Sequence, residues 1–252
     1  MEFNFKDKAV LITGSSKGIG KEIAKDFLNN GANIIINGRD ANTLRKTLIE
    51  FDLSQYHGIK ADVSDQIQAK FLVEKAVTIL GKIDIIVCNV GSGKSVKPGF
   101  EDYSEWQRVF NQNLWSTTNI IESGKKYLKK SKGVFVCISS ICGNEFIENA
   151  PITYSTAKAA LNFYINSISR PLGSEGIRIN GISPGNILFN DSIWAKKIQE
   201  NPNAVRQTLE NVPLSKLGKA EDISKMCLWL ASDYCSFCSG SIITVDGGQT
   251  RN

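Results

Sequence analysis

The chain has 252 residues, of which 42% are hydrophobic and 22% are charged, and this composition excludes an intrinsically disordered protein. Thirty Lys and Arg residues against 25 Asp and Glu residues leave a formal charge of +5, which by itself indicates no particular partner. The single histidine, His57, excludes a multi-histidine metal site, so proton transfer near neutral pH that does not use it requires a Tyr, Lys, Cys or carboxylate with a shifted pKa.

Short apolar runs alternate with amphipathic stretches along the chain. A continuous apolar run predicts a strand, and apolar residues that recur every three to four positions predict a helix. The strands predicted in this way are 9–12, 33–36, 58–63, 83–87, 133–139, 177–182 and 242–245. The helical segments between them are 20–28, a helix capped by Asp40, then 69–80, 106–128 and 157–168.

Strands that are apolar throughout and separated by helices predict a parallel sheet that is covered on both faces. We therefore expect one doubly wound α/β domain over residues 1–252, built on a seven-stranded parallel sheet. Residues 188–217 interrupt the alternation, because they are mixed in polarity and contain Pro202 and Pro213. An insertion near the carboxyl ends of the strands predicts a lid over the site.

A glycine-rich loop, T-G-S-S-K-G-I-G at 13–20, joins the first strand to the first helix. Gly14, Gly18 and Gly20 allow the backbone to turn sharply and to approach a pyrophosphate closely. The helix that follows offers unpaired N–H groups and a positive dipole to the phosphates. Placed after a first strand and before a helix, this loop indicates a dinucleotide-binding site.

The end of the second strand carries information about the choice between NAD(H) and NADP(H). An acidic residue there binds the ribose 2′-hydroxyl, whereas an arginine accommodates a 2′-phosphate. Arg39 stands at this place, and Lys17 in the glycine-rich loop adds a second cation. Asp40 is the acidic counter-candidate, but its capping role explains it. The pair of cations therefore favours NADP(H) over NAD(H).

A Tyr-x-x-x-Lys motif supplies acid–base chemistry without a histidine. Tyr154 and Lys158 lie four positions apart and so share a helical face, where we expect the ammonium to lower the pKa of the phenol. Ser140 can hydrogen-bond the reacting oxygen, and Ser139 is the alternative hydroxyl. Ser140 also begins a Ser-x-x-Gly pattern that ends at Gly143.

The chain resembles the short-chain dehydrogenase/reductase family over about residues 6–250. The motifs that carry the resemblance are the 13–20 loop, Asp62-Val63, Asn89 and Gly91, the set Ser140, Tyr154 and Lys158, Pro184-Gly185, and the segment 245–248. The resemblance implies a single-domain Rossmann fold and hydride transfer between a nicotinamide cofactor and a ketone or secondary alcohol. It is nearest to bacterial 3-oxoacyl-[acyl-carrier-protein] reductase-like members.

The resemblance also implies roles for individual residues. Tyr154 would donate or accept the proton, Lys158 would tune Tyr154 and bind the ribose, and Ser140 would orient the substrate oxygen. Asn113 would complete the set through a water-mediated proton relay, although it could instead bond backbone within its own helix. The residues expected to bind the cofactor are Gly14, Ser16, Lys17, Gly18, Ile19, Gly20, Arg39, Asp62, Val63, Asn89, Gly91, Tyr154, Lys158, Pro184, Gly185 and Ile187.

Three residues depart from the family pattern. Cys88 and Val90 replace an asparagine and an alanine after the fourth strand, which changes the local packing. Phe189 stands where the family often has a threonine that contacts the cofactor, and it cannot make that hydrogen bond. These changes leave the proton-transfer set intact.

The expected partners follow from charge and from the resemblance. The densest positive stretch comprises Lys125, Lys126, Lys129, Lys130 and Lys132, and no aromatic stacking motif accompanies it. This pattern predicts a solvated helix end, so we expect no nucleic-acid partner. Glu175 lies where members that act on carrier protein tend to be basic, so the substrate is expected to be a small carbonyl or alcohol, with carrier-protein attachment left open. The resemblance implies a homotetramer, with no metal.

The six cysteines indicate a reducing compartment, because Cys88 and Cys137 lie inside apolar runs as small core residues do. Cys235 and Cys238 form an isolated C-x-x-C, which we interpret as structurally incidental since a zinc site needs a second pair, with redox sensitivity as the alternative. The N-terminal segment has no apolar signal core, and no stretch reaches the ~18 apolar residues of a membrane span. We expect a cytoplasmic protein that does not contact a membrane.

Overall fold

The strands are short and mostly buried. Within residues 2–190 and 192–251, which the computed structural model describes, they are β1 (Ala9–Ile12), β2 (Asn33–Gly38), β3 (Gly58–Lys60), β4 (Ile85–Cys88), β5 (Val134–Ile138), β6 (Arg178–Pro184), β7 (Ile187–Leu188), β8 (Gly218–Lys219) and β9 (Ile242–Val245). Seven of them form one parallel sheet in the order β3-β2-β1-β4-β5-β6-β9, and β7 pairs with β8 in a small second sheet. The prediction of a seven-stranded parallel sheet is confirmed.

Helices connect the strands. In the same described ranges they are α1 (Gly18–Asn29), α2 (Ala41–Glu50), α3 (Gln66–Leu80), α4 (Tyr103–Phe110), α5 (Ser116–Ser131), α6 (Ile152–Ser174), α7 (Ile193–Glu200), α8 (Pro202–Glu210) and α9 (Ala220–Ala231). A π-helical turn over Asn111–Trp115 joins α4 to α5. In this described part of the chain, no helix combines the length and the apolar character needed to cross a membrane.

Two apolar layers sandwich the sheet. One face packs against α1 and α9 through side chains such as Phe27 and Leu228. The other face packs against α3, α5 and α6 through Leu72, Ile120 and Leu161. Because both faces are covered, the central strands are apolar on both sides, which explains the continuous apolar runs of the sequence.

Several predicted boundaries were wrong. The predicted strand 58–63 ends at Lys60, because Asp62 accepts hydrogen bonds from the amide and the hydroxyl of Ser64 and so begins a turn. The predicted strand 177–182 extends to Pro184, because its end pairs with Val245 of β9. Helix α9 was not predicted at all.

Residues 188–217 are more regular than the sequence indicated. Within the described ranges they contain the end of β7 and both α7 and α8, and Asp191 lies outside those ranges. Ser192 caps α7 through the amide of Ala195, and Asn201 caps α8 in front of Pro202, a residue that suits the first position of a helix. The proline at 202 therefore begins a helix here.

The sheet order reverses between β1 and β4, which are neighbours in space but are separated by β2 and β3 in sequence. The loops after these two strands leave the carboxyl edge of the sheet in opposite directions and open a crevice between them. Doubly wound sheets bind their ligands at this switch point. The fold therefore places the ends of β1, β4, β5 and β6 around one crevice.

Candidate active site

The glycine-rich loop forms a cradle at the start of α1. Gly14 and Gly18 have φ values of 59° and 60°, a conformation that side-chain-bearing residues adopt rarely. Lys17 occupies the capping position of α1 but makes no side-chain capping hydrogen bond, whereas α2, α3 and α4 are each capped by an aspartate. The first amides of α1 therefore have no side-chain acceptor, which suits the binding of a diphosphate.

Asn89 ties this loop to the end of β4. Its Nδ2 donates to the carbonyl oxygens of Thr13 (3.1 Å) and Gly14 (3.0 Å), and its amide donates to Thr13 Oγ1 (3.0 Å). A Cβ at position 20 would collide with the Asn89 amide, so Gly20 permits the close approach. Asn89 therefore positions the cradle through hydrogen bonds to backbone.

Asn37 is a buried positioning residue that the sequence analysis did not identify. Its Oδ1 accepts a hydrogen bond from the Gly14 amide (3.2 Å). Its Nδ2 donates to the carbonyl oxygens of Ile59 (3.0 Å) and Ala61 (3.1 Å), which links β2 and the end of β3 to the loop. The apolar run 33–36 ends immediately before it, and a polar residue at the end of a strand was the only indication in the sequence.

The two cations expected at the 2′-phosphate lie at the surface. Lys17 is exposed, and the Arg39 side chain is 62% exposed. The Arg39 guanidinium contacts Asp62 Oδ2 at 3.3 Å. Burial opposes the ionisation of Asp62, but hydrogen bonds from Ser64 and Arg39 outweigh it and lower the pKa of the carboxyl. The Arg39–Asp62 ion pair thus forms one wall of the expected adenosine region. Val63 is buried directly after it.

The proton-transfer residues converge at the ends of β4 and β5. Tyr154 lies in the first turn of α6 and Lys158 one turn later, so the Lys158 ammonium is 6.0 Å from the centroid of the Tyr154 ring. The Lys158 side chain is 2% exposed, and its Nζ donates to the carbonyl oxygen of Ile138 (2.8 Å). A Cβ added at Gly91 would lie 3.2 Å from Nζ and 3.0 Å from Asn113 Oδ1, which places these three residues together.

Burial controls the charges of this pair. It raises the pKa of Tyr154 to about 12, and the neighbouring Ser140 hydroxyl opposes the rise only in part. Burial also lowers the pKa of Lys158 to about 8. We expected Lys158 to lower the pKa of the phenol, but the loss of solvent around the phenol acts in the opposite direction and is the largest effect on it.

Asn113 lies in the π-helical turn between α4 and α5. Its Oδ1 accepts from the Ser92 amide (2.8 Å), and its Nδ2 donates to the carbonyl oxygens of Ser92 (3.2 Å) and Val109 (3.0 Å). The alternative role for Asn113, a hydrogen bond to backbone within its own helix, is therefore present as the bond to Val109. Asn113 also holds the loop after β4 through its bonds to Ser92. Single π-turns inside helices occur frequently at functional sites.

The two candidate hydroxyls point to different partners. Ser139 Oγ donates to Asn162 Oδ1 on α6 at 2.5 Å, so it is engaged in the framework. Ser140 Oγ accepts from the Cys142 amide (3.2 Å) and lies beside the Tyr154 phenol. A Cβ at Gly143 would lie 2.6 Å from the backbone carbon of Lys158, so the glycine of the Ser-x-x-Gly pattern lets this turn pack against α6. The geometry favours Ser140 as the substrate-facing hydroxyl.

The segment after β6 closes the other side of the crevice. Gly185 packs against Asp246, where a Cβ would lie 2.7 Å from the Asp246 side chain. Pro184 ends β6, and the Ile187 side chain is buried against Gly218 of β8. Ile187 can therefore face a carboxamide only through its backbone.

Phe189 reaches across the crevice to the glycine-rich loop. A Cβ at Gly18 would lie 2.9 Å from Phe189 Cε2, so the ring rests directly on the first residue of α1. At the start of α7, Ile193 Cδ1 lies 3.9 Å from a Cβ placed at Gly93, and Tyr154 Cε1 lies at the same distance from that point. Phe189 therefore contacts the phosphate cradle, and Ile193 lies beside the loop that Tyr154 also faces.

Residues 2–190 and 192–251 contain no group of three or more His, Cys, Asp or Glu side chains arranged to hold a metal ion. His57 hydrogen-bonds Ser54 at 2.8 Å in the turn before β3, away from the crevice. The features of the crevice instead fit a dinucleotide. They are an uncapped helix N-terminus, glycines that admit a close ligand, and a Tyr–Lys pair at the adjoining strand ends.

Comparison with known proteins agrees with this arrangement. A family model described as enoyl-(acyl carrier protein) reductase matches residues 14–250. The chain is 34% identical over 249 residues to the 3-oxoacyl-[acyl-carrier-protein] reductase FabG of Chlamydia trachomatis, covering 96% of this chain and 97% of that protein. It is 31% identical over 248 residues to the 7alpha-hydroxysteroid dehydrogenase of Escherichia coli, covering 97% and 94% of the two chains.

Solved structures give the same result. A 7α-hydroxysteroid dehydrogenase complexed with NADH and 7-oxo glycochenodeoxycholic acid superposes with a TM-score of 0.89 at 30% identity, covering 100% of this chain and 98% of that one. A short-chain dehydrogenase/reductase from Caenorhabditis elegans with cofactor gives a TM-score of 0.88 at 30% identity, covering 97% and 96%. The crevice described above therefore lies in a fold that binds nicotinamide cofactors in similar proteins.

Proposed function

The chain belongs to the short-chain dehydrogenase/reductase family, and from that membership we propose that it is an NADP(H)-dependent oxidoreductase acting on a ketone or secondary alcohol. The observation that carries the proposal is the convergence of Ser140, Tyr154 and Lys158 beside the uncapped N-terminus of α1. The similar proteins, which are named as a reductase and a dehydrogenase, support the reaction class.

The bound nicotinamide supplies or accepts the hydride at the substrate carbon. Ser140 donates a hydrogen bond that orients the substrate oxygen, and Tyr154 donates its phenolic proton to that oxygen during reduction. The pKa of Tyr154, about 12, keeps it protonated at neutral pH, as a proton donor must be. In the reverse direction, Tyr154 accepts the alcohol proton, which requires positive charge close to the phenol.

Lys158 supplies part of that positive charge and fixes the geometry. Its pKa of about 8 leaves most of the side chain protonated at pH 7, and its bond to the Ile138 carbonyl holds the ammonium in place. In this position it would bind the ribose hydroxyls of the cofactor. We assign Asn113 to the water-mediated proton relay behind Lys158, because Gly91 brings the two side chains together.

The preference for NADP(H) rests on Lys17 and Arg39. A guanidinium has five N–H donors, and the Asp62 contact uses one of them, so the others remain able to bind a 2′-phosphate. Asp40, the acidic counter-candidate, is engaged at the start of α2 by the Thr43 amide (2.7 Å) and the Thr43 hydroxyl (2.6 Å). One similar protein was solved with NADH, so the proposed preference for NADP(H) rests on the charges of Lys17 and Arg39 alone.

Segment 188–217 is proposed as the substrate lid, since it begins at the phosphate cradle and passes Tyr154. Ile193, which is 47% exposed, presents an apolar wall to the substrate. We favour a small carbonyl compound, such as a sugar, polyol or other ketone of a biosynthetic pathway. The second candidate is a 3-oxoacyl thioester, which the 34% identical reductase supports. Binding of a carrier protein is less favoured, because ion pairs partly neutralise the lysines of the stretch 125–132. One of these pairs is Lys129–Glu175 at 3.0 Å.

The proposal is tested by following NADPH oxidation with a panel of ketones, sugars and 3-oxoacyl thioesters. We expect turnover with at least one compound, its loss by more than about 100-fold in Tyr154→Phe, and unchanged turnover in Tyr103→Phe, whose side chain is 77% exposed. NADPH should bind both variants equally.

Three results would contradict parts of the proposal. Turnover that survives Tyr154→Phe would contradict the proposed mechanism. Tight NADPH binding without turnover of any compound in the panel would indicate a non-catalytic cofactor-binding protein. NADH binding as tight as NADPH binding would overturn the roles of Lys17 and Arg39.

A further inference from the structure

Cys235 and Cys238 lie in one tight turn between α9 and β9. The Cys238 amide donates to the Cys235 carbonyl (3.1 Å), and the Cys235 amide donates to the Ser232 carbonyl (3.2 Å). A turn closed by a hydrogen bond between residues i and i+3 brings their Cα atoms within about 7 Å, which overlaps the range that a disulfide spans. Both cysteines are free thiols.

The two thiols differ in access to solvent. Cys235 is 3% exposed and packs in the core layer beside α9, and Cys238 is half-buried. The intervening Phe237 projects fully into solvent, so nothing within the turn covers Cys238 from outside. Burial and the neighbouring Cys238 thiol raise the pKa of Cys235 to about 11. Cys238 is therefore the thiol that a dissolved oxidant meets first.

We propose that Cys235 and Cys238 form a reversible disulfide in response to hydrogen peroxide. The Cys238 sulfur attacks one peroxide oxygen, the O–O bond breaks, and the products are a sulfenic acid at Cys238 and one water. The Cys235 sulfur then attacks the Cys238 sulfur, and the S–O bond breaks. The hydroxyl of the sulfenic acid leaves with the Cys235 thiol proton as the second water. Two thiols lose two electrons in total, and the peroxide gains them.

The surroundings tolerate the bond. Cys238 Sγ lies 3.5 Å from Asn180 Oδ1, and this weak contact would be lost on oxidation. Asn180 Oδ1 still accepts from the Ser241 amide (3.1 Å), and its Nδ2 still donates to the Cys238 carbonyl (2.8 Å). Arg178 also holds this turn, through the carbonyls of Leu230 (2.9 Å) and Cys238 (3.4 Å). Oxidation therefore leaves no buried polar group without a partner.

The location of the pair predicts the effect on activity. Asn180 and Arg178 belong to the first half of β6, so the dithiol lies toward the amino edge of the sheet, opposite the crevice. Cys142 instead lies two residues after Ser140, and its amide donates to the Ser140 hydroxyl at the active site. Oxidation of the pair should leave turnover within about two-fold of the reduced enzyme, whereas oxidation of Cys142 should lower it.

The other close cysteine pair provides an internal control. Cys88 and Cys137 are register partners on β4 and β5, but they are 1% and 0% exposed. If proximity alone determined reactivity, peroxide would oxidise both pairs. If access to solvent is also needed, peroxide oxidises only Cys235 and Cys238.

The test treats the reduced full-length protein with hydrogen peroxide, blocks the remaining thiols with an alkylating agent, and maps the peptides by mass spectrometry. We expect a 235–238 disulfide, seen as a mass about 2 Da lower that dithiothreitol restores, and unmodified Cys88 and Cys137. In Cys235→Ser, Cys238 should instead be trapped as a sulfenic acid by a dimedone probe. A Cys142→Ser background keeps active-site oxidation out of the activity readout.

Four outcomes overturn the proposal. They are alkylation of both Cys235 and Cys238 after peroxide treatment that oxidises Cys142, sulfinic acid at Cys238 without a disulfide, equal oxidation of Cys88 and Cys137, and a disulfide that dithiothreitol fails to reduce. None of these depends on NADP(H) turnover, so they are distinguishable from a failure of the proposed function.

Discussion

Lys158 has an ammonium group that is almost completely buried and that donates to the Ile138 carbonyl oxygen. Its pKa of about 8, compared with 10.5 for a lysine in water, measures the cost of burying that charge. At about 1.4 kcal/mol per pKa unit, the ionised side chain destabilises the folded chain by about 3 kcal/mol relative to a solvated lysine. The site therefore keeps a cation beside Tyr154 at the expense of stability.

This cost predicts an unusual dependence of stability on pH. Between pH 8 and 10.5 the unfolded chain binds more protons at Lys158 than the folded chain does, so the free energy of unfolding rises with pH in that window. Urea unfolding from pH 8 to 10 should show a gain that is roughly 2 kcal/mol larger in the wild type than in Lys158→Met.

The measurement stops at pH 10 because the titration of Tyr154 changes the free energy of unfolding in the opposite direction at higher pH. Its raised pKa means that the folded chain retains a proton that the unfolded chain loses, so stability falls there. Lys70→Met, at an exposed position on α3, is the matched control and should follow the wild type. Identical slopes for the wild type and Lys158→Met would refute the buried-cation account.

At the scale of single residues, the sequence was sufficient to select the reactive groups but not to set their chemistry. The spacing of Tyr154 and Lys158 follows from helix geometry, which is local. Their pKa values depend on burial by β4, β5 and the Ser140 turn, which is a tertiary property. Asn37 was missed for a related reason, since a single polar residue after an apolar run does not reveal which backbone groups it will meet.

Elements formed by continuous apolar runs were predicted within a few residues, and irregular ones were not. The strand 9–12 was predicted correctly because every one of its residues is buried. The helical segment 106–128 concealed the π-turn at Asn111–Trp115, because one extra residue in a helix hardly alters its apolar spacing. Residues 188–217 lacked a periodic pattern, since α7 buries no residue completely and α8 buries only Val205.

The position of Phe189 leads to a prediction about the lid element. Its ring rests on Gly18, where the first amides of α1 would bind the diphosphate. The ring therefore covers surface that the cofactor needs, and residue 189 supplies no hydroxyl to the phosphates. Phe189→Thr should lower the Kd for NADPH by about five- to ten-fold, because it uncovers the cradle and adds a charge-assisted hydrogen bond.

Phe189→Ala separates the two effects, because it uncovers the cradle without adding a hydroxyl. We expect NADPH affinity, measured by cofactor fluorescence, to increase in the order Phe, Ala, Thr at this position. Ile198→Ala, on the same lid at a 39% exposed position of α7, serves as the control and should leave the Kd unchanged. If the wild type binds most tightly, the ring is part of the cofactor site and the occlusion argument is wrong.

At the scale of the molecule, the parallel sheet separates chemistry from framework. All strand carboxyl ends face one edge, so the cradle, the proton-transfer residues and the lid gather there without being close in sequence. The opposite edge holds Asp84, which pairs with Lys82 at 3.0 Å and accepts from the Ala9 amide. The parallel sheet could be anticipated from the alternation of strands and helices, whereas the order of its strands could not.

Exposed aromatic residues on α4, α6 and the π-turn carry the last prediction. Phe163 is 76% exposed on α6, Tyr103 is 77% exposed on α4, and Trp115 is 46% exposed. Family resemblance places these helices against partner copies, so we propose that the chain is a homotetramer. In a two-fold symmetric interface each residue is buried twice, and burying one phenylalanine contributes about 1.5–3 kcal/mol. Phe163→Glu should therefore remove both contributions and leave dimers or monomers.

Light scattering coupled to size-exclusion chromatography measures the mass of the assembly. The control is Ile67→Glu on α3, at an 80% exposed position, which we expect to remain tetrameric. A wild-type monomer, or a tetramer that survives Phe163→Glu, would contradict this assembly.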